Sequence, residues 1–271
     1  MKKRSLTVWG LVLQAIFLFS FVWLPGHASA KTTFNQYSIT LDIWHDTPVG
    51  PLAPGDILSY QAGSFKIQQV NMPPAVKIQA LGRKDGDSFI VPDVTFSKGG
   101  QVFTPRDILR VSPDGELGMF ASAESLLLEP PSKISAIAFM DDDLVVVLDT
   151  VVQISNQVFT PRDLIRYSAG VPHAFFIGQD FDIPQSARIV SVDVTGSGQL
   201  LLSFSSTISL NGQVIRASDI VSVSLQNDST ITLAAKRELM LGSCAECRLG
   251  GFSATINEDV IFRTRFIDFW R

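Results

Sequence analysis

Gln101-Val102-Phe103-Thr104-Pro105-Arg106-Asp107 occurs a second time, letter for letter, at Gln157–Asp163. A looser copy stands at Gln213-Val214-Ile215-Arg216-Ala217-Ser218-Asp219. The closing aspartates run from 107 to 163 to 219, a constant step of 56 residues. Self-similarity at a fixed period of this size marks solenoids, propellers and other stacked arrays. The match continues well past seven residues. Residues 89–111 lie without a gap on 145–167, and both lie on 201–223. A step of 51 upstream, residues 38–58 fit the same frame, with Asp42 opposite Asp93 and Asp149, and Asp56 opposite Asp107, Asp163 and Asp219.

Each unit parses into four strand candidates. Strand A is Val76–Leu81, Ile134–Phe139 and Ile189–Val194; strand B is Phe89–Val91, Leu144–Leu148 and Leu200–Phe204. Turns rich in Asp or Gly separate them, which reads as a hairpin. Strand C follows the repeated aspartate at Ile57–Tyr60, Ile108–Val111, Leu164–Tyr167 and Ile220–Val223. A shorter strand D is expected at Ser64–Ile67, Leu117–Phe120, Ala174–Ile177 and Thr230–Leu233. Continuous apolar runs such as Val145-Val146-Val147 predict strands buried on both faces. The best helical candidate, Ala234–Leu241, is brief and stops at Gly242.

Sheets this small must stack, radially as a β-propeller or linearly as a solenoid, with a β-sandwich of repeats as a further option. The first unit starts at its B strand, and the chain ends after an A-like stretch (Phe252–Ile256) and a B-like one (Asp259–Thr264). Units cut this way suit a ring in which the last strands complete the first sheet. The fold class expected is therefore all-β, a propeller-like ring of about four to five four-stranded blades. The pattern of an apolar run, Asp-Thr, a Gly- or Asn-centred turn, then an acidic residue before a Val/Ile/Leu pair resembles repeats of exported bacterial β-propeller-type proteins. That resemblance implies fold and export and brings no activity with it. The unit at Ser205-Ser206 departs from it, where Asp149-Thr150 stands one unit earlier.

Residues 1–30 read as a secretory signal peptide: Lys2, Lys3 and Arg4, an apolar run from Leu6 to Trp23, and Ala28-Ser29-Ala30 before Lys31. Cleavage between Ala30 and Lys31 would leave 31–271 as one repeat-built domain, with units around the four aspartates and a partial unit at 249–271. The formal charge would pass from −4 to −7 with the loss of three cations. An acidic surface argues against nucleic acid or anionic membrane as a partner. A periplasmic or extracellular monomer with a protein or glycan ligand is the expectation.

The chemistry-bearing residues are few. Asp56, Asp107, Asp163 and Asp219 would occupy equivalent points of a ring. Four carboxylates there could surround a cation or serve a glycan hydrolase, which needs carboxylates about 5–10 Å apart. Asp beside a proline-containing segment (Pro54, Pro105, Pro161) is equally turn chemistry, the side chain accepting backbone N–H bonds, and that is the preferred reading. Asp141, Asp142 and Asp143 form an acidic hairpin tip, with calcium as the alternative, although the spaced ligands of an EF-hand loop are absent. Asp42, Asp93 and Asp149 are expected to pair with a neighbouring strand or with Arg106 and Arg162. Beyond residue 31 only His45 and His173 remain, too few for a histidine-rich zinc site. Cys244 and Cys247 suit a short disulfide in an oxidising compartment. Phe269 and Trp270 are expected to pack at the closure of the ring. No phosphate-cradling loop or cofactor motif is present. A non-catalytic exported binding or scaffold protein is the reading these residues favour.

Overall fold

The structure, a computed structural model, describes residues 34–47, 49–61, 63–225, 231–236 and 247–256. Four four-stranded antiparallel sheets stand around a common axis as a four-bladed β-propeller. Blade 2 shows the pattern. Its inner strand β6 (Ile78–Lys84) turns into β7 (Asp87–Pro92), which pairs with β10 (Ile108–Val111), and β11 (Leu117–Ala121) forms the outer edge. Blade 3 repeats this with β12 (Ile134–Met140), β13 (Asp143–Leu148), β16 (Leu164–Ser168) and β17 (Val171–Phe176). Blade 4 uses β18 (Ile189–Val194), β19 (Leu200–Phe204), β22 (Ile220–Val223) and β23 (Ile231–Ala235).

Blade 1 is assembled from both parts of the chain. Its inner strand is β24 (Leu249–Ile256), paired antiparallel with β1 (Phe34–Leu41), and β4 (Ile57–Gln61) and β5 (Ser64–Gln68) complete it. The ring therefore has four blades rather than five, and the A-like stretch at Phe252–Ile256 is the missing inner strand of the first. The B-like stretch Asp259–Thr264 lies outside the described residues, as do the signal segment 1–30 with Ala30 and Lys31, Cys244, and Phe269 and Trp270. The helical candidate is corrected at its start: Ala234 and Ala235 belong to strand β23, because strand D must span the outer edge of blade 4.

Four apolar clusters fill the four seams between blades, so each sheet buries both faces, as its continuous Val/Ile/Leu runs require. The inner strands approach closely: β6 lies against β24 and β12, and β18 lies against both of those from the other side. Close approach demands small residues. A Cβ at Gly251 would stand 2.5 Å from the Leu81 amide nitrogen and 2.6 Å from the Leu81 Cβ.

An element outside the four-strand parse appears between strands B and C of every blade, a two-stranded hairpin. These are β2–β3 (His45–Thr47, Gly50–Leu52), β8–β9 (Phe96–Lys98, Gln101–Phe103), β14–β15 (Val152–Ile154, Gln157–Phe159) and β20–β21 (Ile208–Leu210, Gln213–Ile215). Three of their turns place two successive residues at positive φ: Gly99-Gly100, Ser155-Asn156 and Asn211-Gly212. That is the geometry of two-residue hairpins whose twist matches the flanking strands. The hairpins explain the wording of the repeat. Phe103, Phe159 and Ile215 drop into the seam clusters, whereas the preceding Val102, Val158 and Val214 face solvent.

Candidate functional site

The repeated aspartates are not brought together. Each sits in the turn of its own blade, with Asp107, Asp163 and Asp219 buried and Asp56 half-buried. One carboxylate oxygen accepts the backbone N–H three residues back: from Ala53 at 3.1 Å, Thr104 at 2.7 Å, Thr160 at 2.7 Å and Arg216 at 2.8 Å. The Thr104 and Thr160 hydroxyls add a second donor to the same oxygen. The other oxygen takes an amide from the segment that leaves the outer strand, Ala123 for Asp107 and Gly178 for Asp163. Burial pushes the Asp56 carboxyl up, against the lowering effect of the Ala53 and Val70 amides.

The prolines of the motif reach the next blade. The Pro54, Pro105 and Pro161 carbonyls accept the amides that open the following inner strands, from Ile78, Ile134 and Ile189 at 2.9–3.0 Å. In the loose copy Ala217 replaces the proline. There the first amide of β24, from Leu249, bonds instead to the Ser218 hydroxyl at 3.3 Å. The motif is thus a blade-to-blade clasp.

Asp42, Asp93 and Asp149 make a second clasp, not with Arg106 or Arg162. Each accepts the amide of a basic residue just before an inner strand: Arg248, Lys77 and Lys133, at 2.8–2.9 Å. Arg106 and Arg162 are half-buried rather than exposed, and Arg162 donates to the Ile183 carbonyl. Two of the three carboxylates at the acidic tip meet protein cations. Asp142 pairs with Lys84 at 2.7 Å, and Asp143 pairs with Arg166, which holds its carboxyl below the usual range. Among the described residues no three His, Cys, Asp or Glu side chains gather as a metal site. His173 is exposed on β17, and His45 lies half-buried on β2. Cys247 is buried at the entry to β24, and its expected partner Cys244 is outside the described residues.

Cavities open where the repeat breaks its own packing rule. At the position of Ser38 the other blades carry Phe89, Val145 and Leu201, and at that of Ser88 blades 3 and 4 carry Leu144 and Leu200. Cross-strand pairing sets Arg83 opposite Ser88, and makes Phe139, opposite Leu144, and Val194, opposite Leu200, its counterparts. These counterparts fill the other seams. Phe139, for example, packs tilted against Phe89 and edge-on against Phe120, ring centroids 4.6 and 5.8 Å away. The seam between blades 1 and 2 has Arg83 instead. Its Nη1 donates to Ser38 Oγ at 2.9 Å and Ser59 Oγ at 3.3 Å, and its Nη2 donates to the Gly86 carbonyl at 2.9 Å. Buried Ser88 donates to Gln68 Oε1 at 3.3 Å.

Two cavities meet at this breach, sharing Gln61, Arg83 and Gly86 in their walls. The outer one, of about 510 Å³, runs over β4 and β5 toward Val111 and Pro113. The inner one, of about 440 Å³, reaches the inner strands at Asp193, Ser253 and Phe139. Asp193 Oδ2 accepts the Ala254 amide at 2.5 Å and the Ser253 hydroxyl at 3.1 Å, and Oδ1 accepts the Val194 amide at 3.0 Å. Burial pushes this carboxyl up to about 7, outweighing those three donors. None of the four repeated aspartates lines either cavity.

The breach was legible as a departure from the repeat, polar Ser38, Arg83 and Ser88 on an otherwise apolar template. Reading the repeat for its agreements alone passes it over.

No protein-family model matches the chain, and no curated protein does. Solved structures give loose likenesses. A protein of unknown function from Bacteroides caccae is 7% identical over 75% of this chain and 74% of its own, with a TM-score of 0.36. Virginiamycin B lyase from Staphylococcus aureus is 14% identical over 72% and 69%, TM-score 0.34. The extracellular domain of a putative one component system from B. thetaiotaomicron is 11% identical over 74% of this chain and 35% of its own, TM-score 0.34. Likeness this loose carries no activity across, and the assignment as a four-bladed propeller rests on the strand pairings.

Proposed function

We propose that the protein is an exported, non-catalytic binding protein that takes a glycan in the breached seam between blades 1 and 2. The observation that carries this reading is the replacement of apolar seam residues by Ser38, Arg83 and Ser88 at one seam of the ring. Substituting polar for apolar side chains inside a packed repeat costs stability, and such costs concentrate at sites kept for function. The wall offers hydroxyls, amides and a guanidinium, suited to a ligand that is recognised by hydrogen bonds. The alternative of a glycan hydrolase built on the repeated aspartates finds little support, since their oxygens are taken up by backbone donors in separate turns.

Export rests on residues 1–30, with processing between Ala30 and Lys31, and a Cys244–Cys247 disulfide belongs with the same oxidising compartment. Amino-terminal sequencing of protein recovered from outside the cytoplasm should begin at Lys31. Glycan-array binding of the purified protein, compared with a Ser88→Leu variant, tests the site. Retention of an array signal by the variant at wild-type strength places binding elsewhere and removes the proposal.

A further inference from the structure

The outer cavity has a charge pattern of its own. Its wall holds two cations, Arg83 and Lys66, and one carboxylate, Asp87. Asp87 is already engaged by Arg110 at 2.5 Å. Among the described residues neither Arg83 nor Lys66 has a carboxylate within ion-pair distance. The Nη1 and Nη2 bonds of Arg83 all go to neutral oxygens. Burial lowers the pKa of this guanidinium, and the charge of Asp87 counteracts only part of that. A half-buried cation without an acid is costly to keep, and an anion entering the cavity recovers the lost solvation as charge-assisted hydrogen bonds.

The rest of the wall says what carries the anion. The wall includes the hydroxyl residues Ser59, Ser64 and Ser88 and the amide residues Gln61 and Gln68, so it holds both donors and acceptors. Val111 and Pro113 add an apolar patch to the same wall. A sugar suits such a wall, its hydroxyls finding partners of both kinds while its C–H face lies on the apolar patch. A volume of about 510 Å³ is in the range of small-ligand sites. We infer that the ligand is an oligosaccharide bearing carboxylates, of the uronic-acid kind, with one carboxylate seated between Arg83 and Lys66. This rests on the glycan-binding reading above and narrows it to acidic sugars.

Isothermal titration of the purified protein with tri-galacturonate and with its methyl ester, the same trisaccharide without charge, is the test. The acid should bind, and the ester should bind at least about tenfold more weakly. Arg83→Met and Lys66→Met should each weaken the acid by about tenfold and weaken the ester by a clearly smaller factor. Lys66 is exposed on β5, so its variant keeps the readout available if Arg83→Met does not fold. Absence of acid binding, equal binding of acid and ester, or undiminished binding by Lys66→Met overturns the inference. Hexaglutamate binding as tightly as the acid trisaccharide overturns the sugar assignment. Neutral glycans that bind while the charge makes no difference leave the glycan reading standing and remove this one. An array with no glycan signal removes both.

Discussion

At Asp107 a single carboxylate receives three donors: the Thr104 amide and hydroxyl on one oxygen, and the Ala123 amide on the other. Two of these are backbone groups with nowhere else to go, so removing the acceptor leaves them stranded in a buried turn. Asp107→Ala should therefore destabilise the fold by about 2–4 kcal/mol, read from urea denaturation. Asp193 makes the opposite case, a carboxyl whose charge the fold tolerates poorly. Its pKa is raised to about 7, so the protonated form favours the folded state. Its contribution is complete below the ordinary Asp value near 4, declines as pH rises toward 7, and is level above that. The total swing is on the order of 4 kcal/mol. Denaturation midpoints measured at pH 4.5, 6 and 8 should fall along that series, and Asp193→Asn should flatten the fall.

Among the elements, strands A, B and C of each blade were readable because the period fixed their frame and the aspartate fixed the start of C. Strand D was readable in place but not in extent: β17 starts at Val171, ahead of the expected Ala174, because the Ala169-Gly170 turn closes directly onto β16. The hairpins between B and C went unread. Three residues per arm are too short to show alternation, and their anchors in the seam, Phe103 and Phe159, belong to a neighbourhood that only the ring creates. Of the two partners expected for the second aspartate set, the neighbouring strand is the one found and Arg106 and Arg162 are not. Each carboxylate meets the amide just before the inner strand paired with its own, Lys77 for Asp93, Lys133 for Asp149 and, across 206 positions, Arg248 for Asp42. Inner strand β24 makes its own prediction. Gly251→Ala would force a methyl group onto Leu81, and the overpacking should cost about 1–3 kcal/mol, measured as a lowered denaturation midpoint.

For the whole molecule, a repeat in the sequence announced stacking, and the two split ends announced closure. The candidate site was less legible, because a repeat is recognised by what its units share and a site by where one unit differs. Stability and ligand binding should then trade off at the breached seam. Restoring the apolar template with Ser38→Val, Arg83→Phe and Ser88→Leu together should raise stability by about 1–3 kcal/mol while abolishing binding of the acid trisaccharide. A triple variant that is no more stable, or that still binds, contradicts the account of the seam. The pairing of β1 with β24 also sets a clock. Tyr37 waits for Ala254, its partner in the register 217 positions later. At common rates of synthesis that is roughly 10 to 40 s during which blade 1 lacks its inner strand. For that interval the apolar faces destined for the two seams flanking blade 1 stay open, and the nascent chain depends on whatever shields them until β24 arrives.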